Sequence, residues 1–375
     1  MQKGISAYTS VCAFATPRER ITSLILLAAT LAALLINGAA QTSRADSAKS
    51  YVARGNAWFK KGEIERAIAD YDIAIAFDSR IADAYYNRGL ARRRKGDSEG
   101  ALSDYDRAIE LNPRYFDAYL NRGVIRNEQG QSEAAISDFN KAIVINPRDT
   151  RAWSNRGLAR SNQGNLDAAI ADFTQAIKFD SRNANAWGNR CGVRYLQGAL
   201  DAALADCDQA LKLDAGLALA WSNRGSGRQE KGDLDGALAD FDRAIALDSQ
   251  RADFYANRGR AWLVKGGVDR ALSDLNRALT LDPKIPEVWL LRGAVWFGKR
   301  DYSRAVADFD EALKLNPRLA NAYESRGVAR LMQGKLAEAE ADFARCRALG
   351  GTLKREAAAL MEEMKRQSKR KEREQ

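Results

Sequence analysis

One spacing constrains this chain more than any other property. Laid in rows of 34 residues from Ala48, the sequence fills nine rows and ends the last at Leu353 without insertion or deletion. A small residue recurs at the eighth place: Gly55, Gly89, Gly123, Gly157, Cys191, Gly225, Gly259, Gly293 and Gly327. Alanine recurs at the twentieth place, from Ala67 to Ala339. An aromatic ring fills the fourth place in every row; Tyr or Phe fills the twenty-fourth in seven rows, and alanine the twenty-seventh in eight. A chain of 375 residues is long for one compact core and natural for an extended array.

Each row reads as two amphipathic helices, because its apolar spacing is helical and shows no two-residue alternation. Gly at the fifteenth place, as in Gly62, Gly96, Gly130 and Gly164, is expected to stop the first helix in a left-handed turn. The next residue is often Asp, Asn or Gln, and is expected to cap the second helix, as at Asp97, Asn165 and Asp233. That helix runs out at Leu-Asn-Pro in residues 111–113 and 315–317. Small residues at places 8 and 20 let the paired helices approach.

The N-terminus has a different grammar. Residues 21–36, ITSLILLAATLAALLI, are uncharged, follow Lys3, Arg18 and Arg20, and precede small residues at plausible cleavage positions. This is the layout of a secretory signal peptide. The competing reading is a membrane anchor, since the uncharged stretch from Ile21 to Ala40 is just long enough to span. Residues 1–40 are therefore assigned to a signal peptide or anchor, and 41–47 to a linker. Either reading puts the rows outside the cytoplasm, periplasmic or secreted, or tethered to the inner membrane by residues 21–40.

The formal charge of +10 weakens once it is divided along the chain. Residues 1–47 hold four basic against two acidic side chains, and residues 354–375 hold eight against five. The remaining +5 is too dilute for a nucleic-acid footprint. The chain has no histidine, so the commonest general base and metal ligand is missing. No phosphate-binding loop, Cys-x-x-Cys or metal cluster stands in the sequence, and no catalytic residue, cofactor or metal is expected.

The 34-residue period with this Gly, Ala, aromatic and Pro pattern resembles the tetratricopeptide repeat. The likeness covers rows 48–81, 82–115, 116–149, 150–183, 184–217, 218–251, 252–285, 286–319 and 320–353. It implies an all-α solenoid, a right-handed superhelix of antiparallel helix pairs with a concave groove. Residues 354–375 complete the chain as a capping helix and basic tail. Leu353, Ala357, Leu360, Met361 and Met364 form the stripe that would cover row nine.

Two ladders cross this frame. Arginine stands at the seventh place and aspartate at the twenty-third in all nine rows, from Arg54 and Asp70 to Arg326 and Asp342. Alone the arginines suggest a phosphate ladder; in an antiparallel hairpin the two places meet, which makes them structural pairs. Asparagine stands at the sixth place in six consecutive rows: Asn87, Asn121, Asn155, Asn189, Asn223 and Asn257. In the resembled family that place faces the groove, where a carboxamide can pair with an extended peptide backbone. The arrangement is similar to the asparagine ladder of O-linked N-acetylglucosamine transferase. Ser154, Gly188, Ser222 and Ala256 at the fifth place would let such a backbone approach. The alternative is that Asn-Arg-Gly is the inherited text of a duplicated hairpin.

Row five departs from the pattern at two places at once, with Cys191 for glycine and Cys207 for the ring. In an oxidising compartment such a pair suggests a disulfide closing a loop of 16 residues, worth ~3 kcal/mol in the loop-entropy model; the alternative is two free packing thiols. Gly192 beside Cys191 would help the helices close. The functional expectation is a non-catalytic scaffold or assembly factor that binds a protein or peptide in the groove. The alternative is a self-associating structural solenoid of the cell envelope, a homo-oligomer. Nucleic acid is not expected as a partner, and membrane only if the N-terminal segment stays uncleaved.

Overall fold

The structure, a computed structural model, describes residue 30, residues 46–353 and residues 355–374. The expected signal or anchor lies outside the described residues apart from Thr30, and so does the linker except for Asp46 and Ser47, which are already helical. The chain forms two compact units that divide between Ala159 and Arg160. The first holds α1 (residues 46–61), α2 (Ile64–Phe77), α3 (Ala82–Lys95), α4 (Ser98–Leu111), α5 (Phe116–Glu128), α6 (Ser132–Ile145) and the start of α7 (Thr150–Asn162). The second holds the end of α7, then α8 (Leu166–Phe179), α9 (Ala184–Leu196), α10 (Leu200–Leu213), α11 (Ala218–Glu230) and α12 (Leu234–Leu247). It continues through α13 (Ala252–Lys265), α14 (Val268–Leu281), α15 (Pro286–Gly298), α16 (Tyr302–Leu315), α17 (Ala320–Met332), α18 (Leu336–Ala348) and α19 (Arg355–Glu374). There is no strand among the described residues.

Within each unit a row is one helical hairpin, and a hairpin stacks on the one before it. The turn between the two helices is left-handed at place 15, as at Gly96 (φ 91°) and Gly266 (φ 83°). Row eight makes the same turn with Arg300 at φ 59°, a conformation that costs an L-residue about 1–2 kcal/mol. Asp97, Asn165, Asp233 and Asp301 cap the second helices by accepting from the backbone amide three residues on. Gln131 does not cap: its longer side chain turns to Gln129 instead.

The glycine at place 8 receives the ring at place 24. A Cβ on Gly55, Gly123 or Gly293 would stand 2.6–2.7 Å from Tyr71, Phe139 or Phe309, so only glycine admits the ring. Leu275 fills the same seat over Gly259. The alanines at places 20 and 27 are buried throughout, as Ala101 and Ala108 show. At the C-terminus α19 sets Ala357 and Met361 against Leu331, Ala339 and Phe343, closing the last hairpin. No helix among the described residues is long and apolar enough to cross a membrane.

The aspartates of the Arg–Asp ladder are buried, and the ladder reaches further than one hairpin. Arg224 donates from Nε and Nη2 to both carboxylate oxygens of Asp240, at 2.9 and 2.7 Å. Its third arm donates to Asp208, at place 25 of the preceding row, at 2.7 Å. Its face lies 4.6 Å from the Trp221 ring centroid. Hydrogen bonding to Asp240 raises the guanidinium above its ordinary pKa against the opposing pull of burial. In the first unit Arg88 repeats the arrangement with Asp104, Asp72 and Tyr85, and Arg122 with Asp138, Asp106 and Tyr119. Arg92, Arg126, Arg194, Arg228 and Arg330 bring a second guanidinium to the same buried aspartate.

A second link between rows runs along the exposed turns, from place 14 of one row to place 18 of the row before. Lys231 pairs there with Asp201, Lys265 with Asp235, and Lys299 with Asp269 at 2.8 Å. Pairs this exposed contribute little to stability.

Among the described residues four buried side-chain polar atoms have no hydrogen-bond partner, and the Tyr105 hydroxyl is one of them. The Tyr71 hydroxyl donates to Asn56 at 2.7 Å, but row two carries Leu90 where row one has Asn56. The buried Tyr105 hydroxyl therefore has no partner, and burial raises its pKa. An unpaired buried hydroxyl costs about 1–3 kcal/mol. Tyr105→Phe is expected to stabilise the chain by about 1 kcal/mol in urea unfolding, and a loss of stability would contradict this account.

Candidate functional site

The six place-6 asparagines lie on first helices and are all half-buried. Their carboxamides are not equivalent. In the first unit Asn121 donates to the Asp117 carbonyl at 2.9 Å and to the Tyr86 hydroxyl at 3.2 Å, and accepts from Arg93 at 3.3 Å. Burial carries Tyr86 up to about 12, so it stays a neutral partner. Asn121 is thus occupied in holding row three to row two. Asn87 and Asn155 form no hydrogen bond among the described residues.

In the second unit Asn257 donates to the Ser222 hydroxyl at 3.3 Å, while Asn189 and Asn223 form no hydrogen bond among the described residues. Asn223 instead nests on Gly192, where a Cβ would come within 2.9 Å of its amide nitrogen. Gly192 therefore makes room for an asparagine of the next row; it is not what draws the cysteine helices together. The expected groove floor also changes: Ser222 and Ala256 are buried, so they lie beneath the asparagines and do not receive a ligand.

Asn189 opens onto a hollow of about 240 Å³. Its lining includes Asn185, Gly188, Leu219, Arg251 and Phe254. Asn185 and Asn189 are one turn apart on α9, so both carboxamides serve the same wall. The Arg251 charge is met by Asp253 through bonds of 2.9 and 2.7 Å. That bonding, against burial, holds the guanidinium above its ordinary pKa. Asp248 adds a carboxylate to the lining, and the hollow offers amide donors and acceptors beside the exposed apolar face of Leu219.

Neither Asn185 nor Phe254 is part of the asparagine line read from the repeats. Phe254 was visible as a departure: place 3 is alanine in six rows and phenylalanine only there. Its ring is buried, with the Arg251 guanidinium 5.0 Å above it.

Cys191 and Cys207 are joined in a disulfide, with Cα atoms 5.3 Å apart and both residues buried. The Cys207 sulfur lies 3.4 Å from the Ala220 carbonyl oxygen on α11. Cys346 is unpaired and buried, and burial pushes its thiol up. An apolar cavity of about 400 Å³ lies among Phe297, Phe309, Val328 and Leu360 near the end of the second unit. No group of Cys, Asp and Glu among the described residues is arranged to hold a metal.

The two kinds of asparagine are separable by mutation. Asn121→Ala removes a bonded carboxamide and is expected to cost about 1 kcal/mol. Asn189→Ala removes an unbonded one and is expected to change stability by less than about 0.5 kcal/mol. Equal losses in chemical denaturation would refute the distinction.

Comparison with known proteins agrees with the hairpin geometry. Residues 86–150, 223–286 and 290–352 match a family model described as tetratricopeptide repeat. Residues 55–96 match a second model, described as TPR repeat, and residues 150–183 a third, again tetratricopeptide repeat. Among solved structures, a tetratricopeptide repeat protein from Parabacteroides merdae ATCC 43184 is 20% identical, with a TM-score of 0.57. That match covers 67% of this chain and 99% of the other. The APC/C hetero-tetramer Cut9-Hcn1 gives 16% identity and a TM-score of 0.61, over 84% of this chain and 76% of that one. At these identities the likeness shows the fold alone. No curated protein matches the chain.

Proposed function

Because the chain belongs to the tetratricopeptide repeat family, we propose that it is a non-catalytic scaffold that captures a polypeptide through the amide groups of its first helices. The observation that carries this reading is the pair Asn185 and Asn189. Both face one hollow, and neither spends its carboxamide on the repeat. A carboxamide supplies a donor and an acceptor together, the pattern an extended backbone offers in return. Asn223, one row on, is unspent in the same way.

The same proposal puts the repeats outside the cytoplasm. Support comes from the uncharged run at 21–36 and from the buried cysteine pair, since disulfides persist in oxidising compartments.

Crosslinking in the intact cell envelope, followed by recovery of the chain, tests both parts. The Asn155→Ala, Asn189→Ala, Asn223→Ala triple variant is expected to keep its helical circular dichroism and lose the crosslinked polypeptide. Undiminished capture by the triple variant would rule out the amide line as the contact surface, and recovery from the cytosol alone would rule out the location.

A further inference from the structure

Row five lacks the wedge that the other hairpins use. At Gly55, Gly89, Gly123, Gly225, Gly293 and Gly327 a ring, and at Gly259 the side chain of Leu275, sits over the place-8 glycine and sets the spacing of the two helices. In row five both members are replaced, and the Cys191–Cys207 bond occupies the seat, packed with Ala203 and Tyr195. Two cysteines fill less volume than glycine with phenylalanine. Without the bond their sulfurs would also have to stand roughly 3.5–4 Å apart, as unbonded heavy atoms do. A reduced pair therefore neither fills the wedge nor keeps the helix spacing.

The disulfide also joins the helices beside the amide-lined hollow, one of which carries its Asn189 wall. Cys191 follows Asn189 by two residues on α9, and its neighbour Gly192 carries the side chain of Asn223. Cys207 contacts the carbonyl of Ala220, which itself lines the hollow from α11. Any change in how α9 and α10 sit against each other is passed to Asn189 on one side and Ala220 on the other.

We propose that the Cys191–Cys207 bond is an oxidation-dependent wedge, and that the hollow at Asn189 takes its binding form only after the bond is made. The proposal rests on the peptide-capture reading only in what the hollow would hold. The step requires an external disulfide as oxidant. One cysteine thiolate attacks that disulfide, forming a mixed disulfide and releasing one external thiol. The second cysteine thiolate then attacks the mixed disulfide, forming the internal bond and releasing the other thiol. One S–S bond breaks and one forms; two electrons and the two protons of the cysteines end on the external dithiol. Both sulfurs are buried in the closed hairpin, so the exchange belongs to the stage before α9 and α10 have closed. A thiol–disulfide oxidation thus precedes capture in the life of the chain.

Hydrogen exchange read by mass spectrometry tests this on the full chain without any partner, so its outcome is independent of whether the hollow binds peptide. Oxidised and reduced chains are compared with two double variants. Cys191→Ser with Cys207→Ser mimics the dithiol; Cys191→Gly with Cys207→Phe rebuilds the ring-over-glycine wedge. Amides of α9, α10 and α11 are expected to exchange at least about tenfold faster in the reduced chain and in the serine variant. The helices of the first unit should not change. The glycine–phenylalanine variant should exchange as slowly as the oxidised chain, with or without reductant. Equal exchange in oxidised and reduced wild-type chains overturns the proposal, as does a glycine–phenylalanine variant that responds to reductant.

Discussion

The array depends on the planar fork of one arginine per row. Its five N–H groups lie in a fixed plane, and three directions of that plane are used at once. Two arms grip the buried carboxylate of the same hairpin, one arm crosses to place 25 of the preceding hairpin, and the face rests on the place-4 ring. Lysine could not replace it, because a point charge has neither the fork nor the flat face. Burying an aspartate is unfavourable unless its charge and lone pairs are met. Asp104, Asp138, Asp206, Asp240 and Asp342 each meet two guanidinium groups, and each is almost fully buried. Helix pairing and row stacking are thereby coupled through a single side chain.

Much of this was legible in the sequence because a period of 34 exposes any residue that recurs. The hairpins, the glycine turns and the pairing of place 7 with place 23 all follow from recurrence plus helix geometry. The link to place 25 was harder to see, because its residue varies: Asp72, Asn140 and Thr174 differ in type and agree only in offering an oxygen. The telling position is row nine, which has Ala344 at that place and Ala337 at place 18, where no further row follows to use an acceptor. Both ladders stop where their donors stop.

The asparagine line was legible as a line and not as a site. Identical letters at place 6 hide different employment, which is set by neighbours one row back. Tyr86 and Arg93 engage Asn121, Ser222 engages Asn257, and Asn189 is left with an unspent carboxamide over a hollow. Departures from the period mark the surroundings of that hollow more sharply than the period itself. Phe254 in place of alanine and the paired cysteines of row five both fall around that hollow. Repetition specifies the scaffold; exceptions mark where the scaffold is adapted.

The central claim is that one guanidinium is anchored on the buried carboxylate of its own hairpin, from which its third arm reaches the preceding one, and a double-mutant cycle between Arg224 and Asp240 measures that anchor directly. Stability of the wild type, Arg224→Ala, Asp240→Ala and the double variant would be read from urea unfolding. A coupling of about 2–3 kcal/mol is predicted, at the top of the range for contacting residues. A coupling below about 0.5 kcal/mol would mean that the two side chains act independently, and the arginine would lose its place as the joint of the array.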